Sequence, residues 1–306
     1  MELSTAGLPQ DDCVKWTYLT APQISEQLLN QGLTISCYHI RQMLKLRGYR
    51  KRKMLKMKEL SQTENRNEQF EKIAVYRKAF SDMNFPVISI DTKKKEMIGN
   101  FHRHGTHYST ASKSVYDHDF PNFSDGHIVP HGIYDINKNL GFISLGNSKD
   151  TSEFVCDNLL RVWNKHLKQQ YQNADTIMIL CDGGGSNSSA HYIVKKNLCK
   201  LANAIEMNLL IVHYPPYCSK YNPIEHRLFA QVTRTWQGVP FYNIQFVKEL
   251  TDSTNTKTGL KVTTTINNKI YQTKIPVEQS FKDDFNNQIT FDDKLPKWNY
   301  LIKPRI

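Results

Sequence analysis

Residues 176–187 read TIMILCDGGGSN, and this dozen decides the fold. The unbroken apolar run up to Cys181 has the composition of a strand buried on both faces. It ends on a carboxylate, Asp182, and is stopped by Gly183, Gly184 and Gly185 before Ser186 and Asn187. A strand covered on both sides needs helices above and below it, which places the chain in the α/β class. Upstream, VISID (87–91) is a second short β-rich run that ends in a carboxylate, Asp91. Between the two lie GIYDI (132–136), a turn at Asn137-Lys138-Asn139 and LGFISL (140–145), which predict a hairpin. A helix follows, with Asp150 as its expected cap and Phe154, Val155, Leu159, Val162, Trp163 and Leu167 at 3.6-residue spacing. Downstream, LLIVH (209–213) reads as another buried strand ended by Pro215-Pro216, and a helix starts at Asn222-Pro223-Ile224-Glu225 and runs to about Trp236. Strand, hairpin, helix, strand, helix, strand, helix predicts a mixed sheet flanked by helices, in the order of an RNase H-like fold.

The flanks are of different character. The chain has 306 residues, 40 Lys+Arg against 29 Asp+Glu, and a net charge of +11. Residues 1–60 hold ten basic and five acidic side chains, so nearly half the excess sits in a fifth of the chain. Within that stretch, Thr20-Ala21-Pro22-Gln23 fits a capping box ahead of Ile24 and Leu28, and Gly32 ends the helix. Ser36 starts a second short helix with an apolar stripe of Ile40, Met43 and Leu44, stopped by Gly48. The pair resembles a helix-turn-helix with Arg41, Lys45, Arg47, Arg50, Lys51, Arg52 and Lys53 on or beside its second helix, a cationic surface suited to DNA phosphates. A small helical hairpin with a solvated basic flank is the alternative. The expected division is a helix-turn-helix-like module (1–60), a connecting helix (61–84), the RNase H-like domain (85–240), and a small C-terminal α+β appendage (241–306) with a hairpin around Asn267-Asn268.

Several classes are excluded. No stretch approaches the ~18 apolar residues of a membrane span, and the first residues lack the order of a signal peptide, so a cytoplasmic protein with no membrane partner is expected. The six cysteines form no C-x-x-C pair and read as reduced thiols. Gly183 to Gly185 lack the spacing of a P-loop, which argues against ATP.

Asp91 and Asp182 end strands that are adjacent and parallel in an RNase H-like sheet, and Glu225 sits in the first turn of the helix after the last strand. Three converging carboxylates repel unless cations share the site, and hard oxygen ligands suit Mg²⁺ or Mn²⁺. Two such ions imply phosphoryl transfer. Each carboxylate has a structural alternative: a strand-terminal Asp caps the next turn, and Glu225 fits the third position of a capping box with Pro223 at the first.

The runs VISIDTKKKEMIGNF (87–101), HGIYDINKNLGFISLG (131–146), LCDGGGSN (180–187), HYPPYCSKYNPIEHRLF (213–229) and TKTGLKV (256–262) closely resemble insertion-sequence DDE transposases of the Rhodopirellula type. The resemblance runs from about Lys15 to Pro304 and assigns the DDE positions to Asp91, Asp182 and Glu225. It implies an enzyme of a bacterial insertion sequence that cuts element ends and joins them to target DNA, acting as a dimer or higher assembly on double-stranded DNA at the nucleoid. Family chains usually extend further upstream, which implies a shortened DNA-recognition region here. An inactive DNA-binding derivative and an RNase H-like nuclease remain the alternatives.

Supporting roles follow from the same layout. Lys93, Lys94 and Lys95 after Asp91, and Arg227 beside Glu225, are placed to neutralise phosphates, with His226 close by. Gly183, Gly184, Gly185 and Asn187 allow close approach of backbone or DNA next to Asp182. His102, His104 and His107 stand where the family carries Lys, Asn and Arg. Without cysteine or carboxylate support they read as solvated or phosphate-facing, with a zinc or copper site as the alternative.

Overall fold

The computed structural model describes residues 5–8, 11–17, 19–52, 65–118 and 120–305, with side chains from residue 17 onward. They fall into two units, Met1–Gln62 and Thr63–Ile306.

In the first unit β1 (Thr5–Leu8) and β2 (Asp11–Thr17) pair as an antiparallel ribbon, followed by α1 (Ala21–Leu29) and α2 (Cys37–Leu46). The ribbon is no part of the expected architecture: TAGL has no strand-like pattern, and the alternation in DDCVKWT is confined to Val14–Thr17. The helices start and stop as expected. Gln23 Oε1 accepts from the Thr20 N–H at 2.8 Å, Ser36 Oγ accepts from the His39 N–H at 3.4 Å, and Gly32 and Gly48 take left-handed φ angles of 81° and 79° after the two helices. Ala21, Ile24 and Ile40 form the small core. Met43, expected in the buried stripe, is 54% exposed, so the stripe of α2 is narrower than its composition suggests. Arg41, Lys45, Arg47, Arg50, Lys51 and Arg52 are exposed, and Lys53 lies outside the described residues.

The second unit runs α3 (Arg66–Asp82), β3 (Val87–Thr92), β4 (Glu96–Ile98), β5 (Gly126–Asp135), β6 (Leu140–Gly146), α4 (Ser152–Val162), β7 (Thr176–Cys181), α5 (Tyr192–Ile205), β8 (Asn208–His213), α6 (Ala230–Trp236), α7 (Ile244–Asp252), β9 (Lys261–Asn267), α8 (Gln279–Asp284), β10 (Ile289–Phe291) and β11 (Asn299–Ile302). The strands build one mixed sheet in the order β10-β11-β8-β7-β3-β5-β6-β9, with β4 paired to β5. β3, β7 and β8 are parallel neighbours, while β5 is antiparallel to both β3 and β6. This is the RNase H-like arrangement the sequence implied, with the strands of Asp91 and Asp182 side by side.

Side-chain alternation divides the core between the two faces. Ile88, Ile90, Ile177 and Ile179 pack with Val155, Leu159, Leu198 and Ala202 of α4 and α5. Val87, Met178 and Leu180 turn the other way, onto Ile73 and Phe80 of α3. Further along the sheet, Tyr134, Ile143 and Leu145 pack under Ile224, Leu228, Phe229 and Trp236.

Four expectations are corrected. The connecting helix is α3, and it is docked on the sheet: buried Gln69 donates to His213 O at 2.8 Å and exchanges hydrogen bonds with Asn299. Residues 241–306 are no appendage. β9 extends one sheet edge parallel to β6 and β11 extends the other beside β8. The hairpin around Asn267-Asn268 does not form, because β9 finds its partner in β6 over the whole of Lys261–Asn267, and the Asn267 amide turns to Asn158 and Tyr271. Finally, α4 is capped by Thr151, whose Oγ1 accepts from the Phe154 N–H at 3.2 Å, and not by Asp150.

Gly132 of β5 pairs with Asp91, and a Cβ there would stand 2.4 Å from the Phe229 ring. The missing side chain lets the Glu225 segment lie close on the sheet. Gly132→Ala is expected to lower unfolding stability by ~1–3 kcal/mol through overpacking. Gly183→Ala, which meets open space, should stay within ~0.5 kcal/mol. Urea denaturation of both variants measures the difference.

Candidate active site

Asp91 shares its side-chain parity with Val87 and Ser89, so it points to the sheet face away from α4 and α5. The pairing Val87↔Met178, Ile88↔Ile179 and Ser89↔Leu180, continued two residues, sets Asp91 opposite Asp182. Glu225 reaches the same face from above. Its segment starts as an ordinary helix at Pro223, loosens into a π-turn over Glu225–Phe229 and continues as α6. Single π-turns of this kind are frequent at functional sites.

A buried polar staple fixes that segment to β3. Ser89 Oγ donates to Asn222 Oδ1, Asn222 Nδ2 donates to Ile90 O at 3.1 Å, and the Ile224 N–H donates to Ser89 Oγ at 3.1 Å. Ser89 and Asn222 are fully buried. The backbone at Asn222 decides between two readings of Glu225. A capping box would need the Asn222 N–H for the Glu225 carboxylate, but that N–H donates to Ser219 O at 2.8 Å. Glu225 is thereby released from a capping role.

The three carboxyls feel one another's charge. The Asp91 pKa is raised to about 7, first by burial, then by the charge of Asp182, and further by the charge of Glu225 and a hydrogen bond to it; the Thr92 N–H, 2.7 Å from Oδ1, pulls the other way. Asp182 is held from its own loop, where the Gly184 N–H donates to Oδ1 at 3.3 Å and Gly185, at φ 53°, opens a 3₁₀ turn that buries Asn187. Its backbone is anchored from β8. His213 Nδ1 lies 3.0 Å from Asp182 O, so that nitrogen carries the hydrogen, and Nε2 is left to accept from Tyr300 Oη at 3.4 Å. Burial lowers the His213 pKa and keeps the ring neutral.

The surrounding cations differ in role. Lys94 and Lys95 are exposed, whereas Lys93 is tied to Glu96 Oε1 at 3.2 Å and lies over the Trp236 ring. Arg103, which sequence reading passed over, binds Glu96 Oε2 at 2.6 Å and Met97 O at 2.9 Å with its guanidinium 3.4 Å from the centre of the Phe241 ring. Arg227 is exposed; His226, also exposed, turns its Nε2 to Lys220 O. The rings of His102 and His104 meet edge to face at 5.1 Å, while His107 lies against Gly238. Among the described residues no three His, Cys, Asp or Glu side chains close on one point as metal ligands do. The donor set at Asp91, Asp182 and Glu225 still fits a divalent ion by its chemistry: hard oxygens, unshielded like charges, and one proton retained to relieve them.

Fold and site together give a candidate carboxylate centre at the ends of two central strands of an RNase H-like sheet. The chain belongs to the Rhodopirellula transposase DDE domain family, whose profile matches residues 1–304. No curated protein sequence matches it. Among solved structures it is similar to the mariner Mos1 paired-end complex with Mg, at 15% identity over 76% of this chain and 65% of that one, TM-score 0.48. It is also similar to the Mos1 strand transfer complex, at 16% identity over 76% and 64%, TM-score 0.46. A third similarity is to the human cytomegalovirus terminase nuclease domain, at 11% identity over 74% and 85%, TM-score 0.21. The chain thus spans somewhat less than two thirds of the Mos1 chains.

A carboxyl held near 7 destabilises the metal-free fold once it ionises. Between its ordinary pKa and about 7 the folded state keeps a proton that the unfolded state has lost, so this contribution to stability falls as pH rises. In EDTA, Asp91→Asn is therefore expected to be more stable than the parent by roughly 2–4 kcal/mol at pH 8, the gap closing as pH falls towards 4. Denaturant titrations at the two pH values check it; a pH-independent gap contradicts the assignment.

Proposed function

We propose that this chain is the DNA transposase of a bacterial insertion sequence, with Asp91, Asp182 and Glu225 holding two Mg²⁺ or Mn²⁺ ions. The observation that carries the reading is the combination of family membership with three carboxyls gathered on one sheet face, one of them with its pKa raised to about 7 by burial and then by the charges of the other two. Bound there, the ion pair supplies positive charge to the scissile phosphate and acidity to the attacking hydroxyl. Asp91 gives up its proton as the site is loaded, so loading is favoured by rising pH. Asp182 and Glu225, fixed by the Gly184 loop and the Asn222 staple, would hold the cations against which the scissile phosphodiester is bound. Water attacks first, breaking the P–O3′ bond at the element end and freeing a 3′-hydroxyl. That hydroxyl then attacks a target phosphodiester: a P–O bond forms to the element's 3′-oxygen, the target P–O3′ bond breaks, and the proton the attacker gives to the medium is matched by one the leaving 3′-oxygen takes up.

The N-terminal helices find the ends. Arg41, Lys45, Arg47, Arg50, Lys51, Arg52 and Lys53 neutralise phosphates of the terminal repeats, while Lys94, Lys95 and Arg227 line the path of the strand being cut. Synapsis of two ends calls for a dimer or larger assembly on DNA. Among the described residues no helix is long and apolar enough to cross a membrane, in keeping with action in the cytoplasm at the nucleoid.

With a supercoiled plasmid carrying the element's ends and Mg²⁺, the parent protein should cleave and join, and Asp182→Asn and Glu225→Gln should each lose at least ~100-fold. Equal cleavage by parent and variants refutes the site. Cleavage without joined products makes it a nuclease, and end binding without cleavage makes it a DNA-binding derivative. Replacing residues 50–53 with glutamine should flatten the slope of log affinity against log salt by up to ~0.9 for each phosphate no longer neutralised. An unchanged slope places the DNA surface elsewhere.

A further inference from the structure

Asp150 was expected to cap α4, a task Thr151 performs, and its carboxylate is engaged elsewhere. Oδ1 accepts from Thr92 Oγ1 at 3.2 Å and Oδ2 accepts from Ser186 Oγ at 3.2 Å. Each hydroxyl belongs to the segment just beyond one carboxylate of the site. Thr92 follows Asp91 and gives its N–H to it; Ser186 lies in the turn after Asp182, in the loop whose Gly184 N–H holds Asp182 Oδ1. The topology brings them together. β3 and β7 are parallel, and β6 runs in the same sense as β3 because both are antiparallel to β5, so Thr92, the Gly183–Ser186 loop and Asp150 all emerge at the same end of the strands. Asp150 is an exposed residue at the rim, yet both carboxylate oxygens are turned inward onto these hydroxyls. β3 and β7 are paired only as far as Ser89↔Leu180, so past that point the two ends are held in common by no further strand pairing.

We propose that Asp150 is a positioning residue that ties the end of β3 to the Gly183–Ser186 loop, and so sets the distance between Asp91 and Asp182. It rests on the reading of those two aspartates as a shared divalent-metal site. In this role Asp150 does not itself bind the ion; it accepts one hydrogen bond from each segment and keeps the carboxylates from drifting apart under their own repulsion. Residues that orient ligands in this way typically change metal affinity or activity by ~10–100-fold when removed.

The test uses the full chain and Mn²⁺ alone, free Mn²⁺ being read by its electron paramagnetic resonance signal, with a thermal melt of each variant. Asp150→Ala should bind Mn²⁺ ~10–100-fold more weakly than the parent. Asp150→Asn should bind close to the parent, because its amide can accept from one hydroxyl and donate to the other. Thr92→Val combined with Ser186→Ala should reproduce the loss, and adding it to Asp150→Ala should cost nothing more; this pair carries the test if Asp150→Ala does not fold. Parent-like binding by Asp150→Ala, with Asp182→Asn defective, overturns the tie and leaves the metal site standing. Equal loss in Asp150→Asn and Asp150→Ala also overturns it, since the charge itself is then required. Mn²⁺ binding indifferent to Asp182→Asn overturns the tie together with the site on which it rests.

Discussion

A buried hydroxyl and a buried amide, Ser89 and Asn222, join the two parts of the molecule that must meet for the carboxyls to converge. Ser89 sits two residues before Asp91 on the same strand face, and Asn222 three residues before Glu225. Their hydrogen bond is closed at both ends by backbone: Asn222 donates to Ile90 O, and Ser89 accepts from the Ile224 N–H. Removing one member strands its partners away from water, at about 1–3 kcal/mol for each group left unpaired, so the arrangement has few alternatives of comparable energy. Apolar packing alone would allow the helix to slide. Leu228 and Phe229 fill the space left by Gly141 and Gly132, but dispersion is not directional, whereas the staple fixes both depth and register.

The rest of the site is arranged around that fixed point. Strand alternation puts Asp91 and Asp182 on the face to which Glu225 descends, while the opposite residues of β3 and β7 fill the core under α4 and α5. The like charges so gathered repel, and the retained proton on Asp91 is the structure's own way of lowering that cost. Elsewhere the ordering falls on backbone. His213 and Tyr300 hold the peptide of Asp182, and Gln69 and Asn299 tie α3 to the strand end of His213.

Much of this was legible in the sequence because it is local. Apolar runs ending in Asp91 and Asp182, the Asn137-Lys138-Asn139 turn and Pro223 near a helix start are signals carried by neighbouring residues. The strand order followed from their sequence, and the pair of helices at 21–46 from caps and glycines. What stayed hidden depends on partners far along the chain. Lys261–Asn267 alternates well enough to be a strand, but nothing in it says that its partner is β6 and not the residues that follow. Gln69 and Asn299, 230 residues apart, give no local sign of their mutual hydrogen bonds. Asp150 reads as the cap of α4, and only the structure shows that Thr151 takes that task and leaves Asp150 to Thr92 and Ser186. Lys93 reads as one of three equivalent lysines until Glu96 and Trp236 are seen beside it.

The central claim is that Asp91, Asp182 and Glu225 act as one divalent-metal site. Anomalous scattering from crystals of the protein soaked in Mn²⁺ tests it most directly. Two peaks are expected roughly 3.5–4 Å apart, bracketed by the three carboxylates, with Asn222 still bound to Ser89. Manganese bound elsewhere, or bound between the aspartates with Glu225 turned away, contradicts it.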